Sequence, residues 1–192
     1  MPEPDHSDVR TAVDALEPEL VDLRRDLHAH PELAWQEERT TALVADRLGS
    51  AGIDVQLLPK SGLVAEVGDP AGPVVALRAD LDALAVDDLT VDPWQSVYDG
   101  VAHACGHDVH TAALLGAGLA LAAVHDATPL PGRARLLFQP AEEVMPGGAL
   151  EMIATGALDG VGHVFGLHAD PGLDVGQVGL REGPLTGAAD SM

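Results

Sequence analysis

Val74-Val75-Ala76-Leu77-Arg78-Ala79-Asp80-Leu81-Asp82 is an apolar run that turns charged towards its carboxyl end. Ala71-Gly72-Pro73 punctuates its start, and Val74 to Leu77 has the make-up of a buried strand. The same design recurs downstream. Ala134 to Phe138 is an apolar strand that ends in Gln139-Pro140-Ala141-Glu142-Glu143, and Val161 to Leu167 is one that ends at His168. Between the first two lies His110 to Val124, a helix rich in Ala, Leu and Gly and suited to close packing on a sheet. Upstream, Val13, Leu16, Leu20, Leu23 and Leu27 mark one face of a helix from Val9 to His28, and a second helix runs from Glu37 to Leu48. Ile53 to Leu58, Leu63 to Val67 and Gly176 to Arg181 read as further strands, Gly148 to Ala154 as a short helix, and Asp87 to Gly100 as a loop. Helices alternating with strands predict an α/β fold.

Composition bounds the function. The chain has 192 residues, with 10 Lys+Arg against 31 Asp+Glu, a formal net charge of −21. Such a surplus of carboxylates argues against nucleic acid and against anionic membrane surfaces as partners. Hydrophobic residues make up 46%, enough for a packed core. The single cysteine, Cys105, excludes an intrachain disulfide. No apolar run approaches the roughly 18 residues of a membrane span. The acidic, proline-containing start, Met1 to Val9, is unlike a secretory signal. A soluble cytoplasmic protein is the expectation.

The chemistry gathers at strand ends, where open α/β sheets bind ligands. Asp80 and Asp82, Glu142 and Glu143, and His168 each follow an apolar run. A fourth group, His103-Ala104-Cys105-Gly106-His107-Asp108-Val109-His110, packs three histidines, a cysteine and an aspartate into eight residues. Singly, a lone cysteine reads as a small buried hydrophobe and a Glu-Glu pair as surface charge. Together they make the donor set of a transition-metal site, with one carboxylate as ligand and its neighbour as general base. A cysteine hydrolase using Cys105 as nucleophile is the rival reading, but it leaves Glu142 and Glu143 without work. For both glutamates to serve one site, the backbone there must leave regular β geometry, which Pro140 permits.

Five motifs in order then resemble one family. They are Arg25-Asp26-Leu27-His28-Ala29-His30-Pro31-Glu32-Leu33, Arg78-Ala79-Asp80-Leu81-Asp82-Ala83-Leu84, His103-Ala104-Cys105-Gly106-His107-Asp108, Phe138-Gln139-Pro140-Ala141-Glu142-Glu143 and Gly166-Leu167-His168. The sequence is similar to the amidohydrolase branch (hippurate hydrolase, N-acyl-amino-acid amidohydrolase, auxin-conjugate hydrolase) of the aminoacylase-1/carboxypeptidase G metallopeptidases. The resemblance implies a zinc-exopeptidase-like (phosphorylase/hydrolase-like) mixed sheet flanked by helices. It implies two divalent metal ions, Zn or Mn first and Ni or Co as further options. Cys105 would bridge them, His107 and His168 would complete one site, and Glu143 would bind the other metal. Glu142 would be the general base, and Asp82 the carboxylate that orients a ligand histidine. The implied substrate is a small N-acyl amino acid or peptide-like amide. His28, His30 and Glu32 are expected to be structural, and His103, Asp108 and His110 to support the ligands. Leu81, Ala85 and Ala102 depart from the family's common residues.

The resemblance also implies a longer chain, with a lid domain that dimerises and a late histidine ligand. Here residues 1–184 match the first part of a catalytic domain, and 185–192 the opening of the lid. The lid and the late histidine have no counterpart. The expectation is an N-terminal fragment, and the alternative function is a truncated, catalytically inactive metal-binding piece of such an enzyme.

Overall fold

A computed structural model describes residues 6–183, so the proposed opening of the lid lies outside the described residues. Four helices and five strands follow in the order α1 (His6–Ala29), α2 (Glu38–Ser50), β1 (Val55–Leu57), β2 (Leu63–Gly68), β3 (Val74–Asp80), α3 (His107–Ala127), β4 (Arg133–Gln139), α4 (Gly148–Ala154) and β5 (Val161–Gly166). The strands form one mixed sheet in the order β1-β2-β4-β3-β5. β1 and β4 each run antiparallel to β2, while β4 and β5 lie parallel to β3 on its two sides. The expected α/β class with a mixed, helix-flanked sheet is present. The carboxyl ends of β3, β4 and β5 therefore meet at one edge of the sheet, which is where the acidic and histidine motifs fall.

Side chains alternate across the sheet, as the two-residue period of a strand requires. Leu63, Ala65 and Val67 of β2, Ala79 of β3, and Leu136 and Phe138 of β4 enter the main core with Val44, Leu48, Leu114, Leu115 and Leu119. Val64, Ala76 and Leu137 face the other way, onto Met152 and Ala157. The small residues of α3 do what their size allows. A Cβ on Gly116 would stand 2.5 Å from Leu20 Cδ1, and one on Gly118 would stand 2.4 Å from Leu136 Cδ1. A side chain at either position would make a leucine move, Leu20 of α1 or Leu136 of the sheet.

Three sequence expectations need correction. α3 starts at His107, three residues before the expected start, because Gly106 adopts φ +87° and turns the chain into the helix. Gly176–Arg181 forms no strand among the described residues. Apolar content alone does not make a strand without a neighbouring backbone to pair with, and Val178 and Leu180 are exposed. Finally, α3 is long and apolar enough to cross a membrane by length and composition, against the reading that no such segment exists. Most of that stretch is buried within the protein, packed on α1 and the sheet.

Candidate metal centre

His107 is the best-defined donor. It is 1% exposed and lies in the first turn of α3. Its Nδ1–H donates to the Asp82 carbonyl oxygen at 2.8 Å, so the Nε2 lone pair faces outward. Nε2 is buried without a hydrogen-bond partner. Around it stand Asp80 Oδ2 at 3.6 Å, Glu143 Oε1 at 3.7 Å and Glu142 Oε2 at 4.0 Å. A buried, unpartnered nitrogen amid carboxylates is what a cation would satisfy.

His168 is arranged the same way. Its Nδ1–H donates to the Ala169 carbonyl at 2.8 Å, and its Nε2 lies 3.4 Å from Cys105 Sγ. Cys105, His107 and His168 offer ligand atoms all within 4.8 Å of one another, and so do His107, Glu142 and Glu143. The structure thus brings together all six residues singled out for the site: Asp82, Cys105, His107, Glu142, Glu143 and His168. A third cluster, Asp80, His107 and His110, is equally compact. Both nitrogens of His110 are already used, however. Nδ1 bonds Asp80 Oδ1 at 2.6 Å, and Nε2 accepts the Ala169 N–H at 2.8 Å. His110 therefore braces the segment that carries His168 and has no free lone pair for a metal.

The two glutamates come together through a break in β geometry. Ala141 follows Pro140 with φ +49°, in the left-handed region that costs an L-residue about 1 kcal/mol. Beyond it, Glu142 N–H and Glu143 N–H donate to Asp82 Oδ1 and Oδ2 at 3.0 and 2.9 Å. Bonds to a carboxylate contribute about 1.5–3 kcal/mol each, enough to outweigh the strain. Asp82 thus holds both His107 and the turn that presents Glu142 and Glu143.

The field at the site is strongly negative. Burial, then the charges of Glu143 and Asp80, push the Glu142 carboxyl above its ordinary value. Burial alone would lower the pKa of His107, but Asp82, Asp80 and Glu143 raise it on balance. Burial would raise Asp80, yet the bond from His110 and the nearby His107 and Arg78 hold it at about 2. Cys105 is pushed up to about 12, first by burial and then by Glu143, Asp80 and Glu142. An activated thiol nucleophile needs the opposite environment, which speaks against the cysteine-hydrolase reading. A divalent cation would reverse this field and favour the thiolate as ligand.

The remaining motif residues are scaffold. Glu32 caps α2, accepting the N–H groups of Arg39 and Thr40 at 2.9 and 2.7 Å. His28 Nδ1 lies 2.7 Å from Asp108 Oδ2, and Arg24 pairs with the same oxygen at 2.9 Å. His30 Nδ1–H donates to the Asp26 carbonyl at 2.8 Å. The sequence reading missed one residue next to the site, Glu37. Its carboxylate accepts the Ala141 N–H at 2.7 Å across 104 positions of chain, a pairing that no local pattern encodes.

A parallel-strand edge with converging Cys, His and Glu donors has the make-up of a metal centre. Residues 76–185, more than half of the chain, match Peptidase family M20/M25/M40, and the chain belongs to that family. It is 48% identical over 177 residues to an N-acetyl-L-cysteine deacetylase of Bacillus subtilis, covering 91% of this chain and 42% of that protein. It is 41% identical over 185 residues to an N-acyl-L-amino acid amidohydrolase of Geobacillus stearothermophilus, covering 95% and 50%. Among solved structures it superimposes on the Bacillus subtilis YXEP protein, described as a dinuclear metal-binding peptidase of the M20 family. That match has a TM-score of 0.83 and 43% identity, over 90% of this chain and 48% of that one. The chain spans half or less of these relatives. It also matches, at 52% identity, 22% of a Rhodococcus jostii protein named as a glutamate–cysteine ligase, too small a share for that name to bear on this segment.

Proposed function

We propose that the polypeptide carrying this segment is a metal-dependent amidohydrolase that cleaves the amide bond of N-acyl amino acids or related conjugates. One observation carries the reading: the buried, unpartnered Nε2 of His107 faces Glu142 and Glu143, within a cluster that Cys105 and His168 complete. Cys105, His107 and His168 would hold one divalent ion, and Cys105 with Glu143 a second. When bound, ions of the Zn, Mn, Co or Ni kind supply Lewis acidity towards the amide carbonyl and the attacking water. Glu142 takes the proton of that water on a carboxylate oxygen and passes it to the nitrogen of the departing amine. Its raised pKa favours the uptake of that proton. Asp82 fixes the tautomer of His107 and the direction of Glu142. The names of the Bacillus and Geobacillus relatives support the acyl-amino-acid substrate class.

The test is hydrolysis of N-acetyl amino acids by the purified protein loaded with Zn²⁺ or Mn²⁺, beside its Glu142→Gln variant. Turnover should fall about 10²–10⁴-fold with metal content unchanged. Full turnover in the variant would overturn the role of Glu142. The second reading, a metal-binding segment without turnover of its own, is favoured by the exposure of His168 beyond an edge strand. Under it the 192-residue chain binds metal and hydrolyses none of these substrates.

A further inference from the structure

The turn at Ala141 rests on a carboxylate that the hydrolytic reading does not use. Glu37 is fully buried and stands at the residue before α2, the N-cap position. It does not cap. The Arg39 and Thr40 amides are taken by Glu32, and the Glu37 side chain turns away from its own helix. Its Oε1 accepts the Ala141 N–H at 2.7 Å and its Oε2 accepts the Ser61 hydroxyl at 2.6 Å. Its backbone carbonyl accepts both the amide and the hydroxyl of Thr41, whose oxygen in turn accepts the Gly62 N–H. Glu37 is thus itself held rigidly. The Ala141 carbonyl accepts the Gly148 N–H at 3.0 Å, which fixes the next peptide, the one between Ala141 and Glu142. Three successive amides, those of Ala141, Glu142 and Glu143, therefore end on two buried carboxylates from distant parts of the chain, Glu37 and Asp82.

We infer that Glu37 is a positioning residue: through the Ala141 amide it sets the turn that aims Glu142 and Glu143 into the centre. The inference rests on the reading of that centre given above for its consequence, and on the hydrogen bonds alone for its geometry. Glu37→Gln keeps an oxygen for the Ala141 N–H. Glu37→Met keeps the length and removes the acceptor.

The experiment has two readouts on the 192-residue chain. The first is amide hydrogen exchange followed by NMR, without metal. In Glu37→Met, exchange at Glu142 and Glu143 should rise about 10-fold while Leu137 in β4 keeps its rate, and Glu37→Gln should stay near wild type. The second is Co²⁺ affinity. Glu37→Met should weaken it about 10-fold in the wild-type background and leave it unchanged in a Glu143→Gln background, because the effect is exerted through Glu143. A rise confined to Ala141, a uniform rise across β4, or an equal Co²⁺ loss in both backgrounds overturns the inference. If the wild-type chain binds no Co²⁺, the metal-centre reading fails, and hydrogen exchange still decides the role of Glu37. If Glu37→Met does not fold, Glu37→Asp replaces it. Its shortened carboxylate should release the Glu142 and Glu143 amides in the same way, and unchanged exchange there overturns the inference.

Discussion

His107 and His168 face the same space from opposite sides and are held very differently. Both tie Nδ1 to a backbone carbonyl and aim Nε2 at the centre. His107 is buried at the start of α3, beside Asp80 and Asp82, which the core encloses. His168 is exposed just beyond β5, the edge strand, where Val164, Phe165 and Leu167 are 52%, 57% and 66% exposed. On that side the position of His168 depends on the β3–β5 ladder and on the bond from the Ala169 N–H to His110. The β3–β4–α3 side of the centre is thus part of the folding core, whereas the β5 side is attached to it. Loss of a residue on the first side should affect folding and metal together, and loss on the second should affect metal alone.

The largest effect on stability should come from Asp82→Ala. It strands the Glu142 and Glu143 amides and removes the charge beside His107, and should cost about 3–5 kcal/mol in urea unfolding. A cost below about 1 kcal/mol would show that the turn at Ala141 does not depend on Asp82. His168→Ala should cut Zn²⁺ affinity at least about 100-fold while leaving unfolding free energy within about 0.5 kcal/mol of wild type. Equal destabilisation by the two variants would erase the distinction between the two sides.

A further effect is one of pH. Burial, with the positive charges of His107 and His28, holds His103 at about 4 against an ordinary 6.5, despite the opposing pull of Asp108 and Asp82. Between those values the unfolded chain binds a proton at His103 and the folded chain does not. Stability should therefore fall as pH drops from 6.5 towards 4, by about 2–3 kcal/mol, and the fall should be absent in His103→Gln. A pH profile identical in wild type and variant would contradict a neutral, buried His103.

The sequence made the donors of the centre legible because their chemistry is local. Cys105 and His107 share a tight turn at Gly106, and Asp82, Glu142 and His168 each stand just past an apolar strand, where α/β sheets place ligands. The need for a break before Glu142 was also readable from Pro140, and Ala141 supplies it. Glu37 was not legible. Beside Glu38 at a helix start it looks like ordinary solvated charge, and its partner lies 104 residues away. The role of His110 as a brace for Ala169 was hidden for the same reason, since 59 residues separate them. The expected strand at Gly176–Arg181 failed for a different physical cause: no neighbouring strand pairs with it among the described residues. Side-chain pattern encodes which face a segment would bury, but pairing depends on what lies beside it.

These donors should bind metal as a set. Equilibrium dialysis of the purified chain against Zn²⁺, alongside Cys105→Ala, His107→Ala and Glu142→Gln, tests this most directly. The expected result is at least one tightly held ion per chain, lost in Cys105→Ala and His107→Ala and retained in Glu142→Gln. A wild-type chain that holds no stoichiometric ion, or one whose ion survives the loss of both Cys105 and His107, would contradict it.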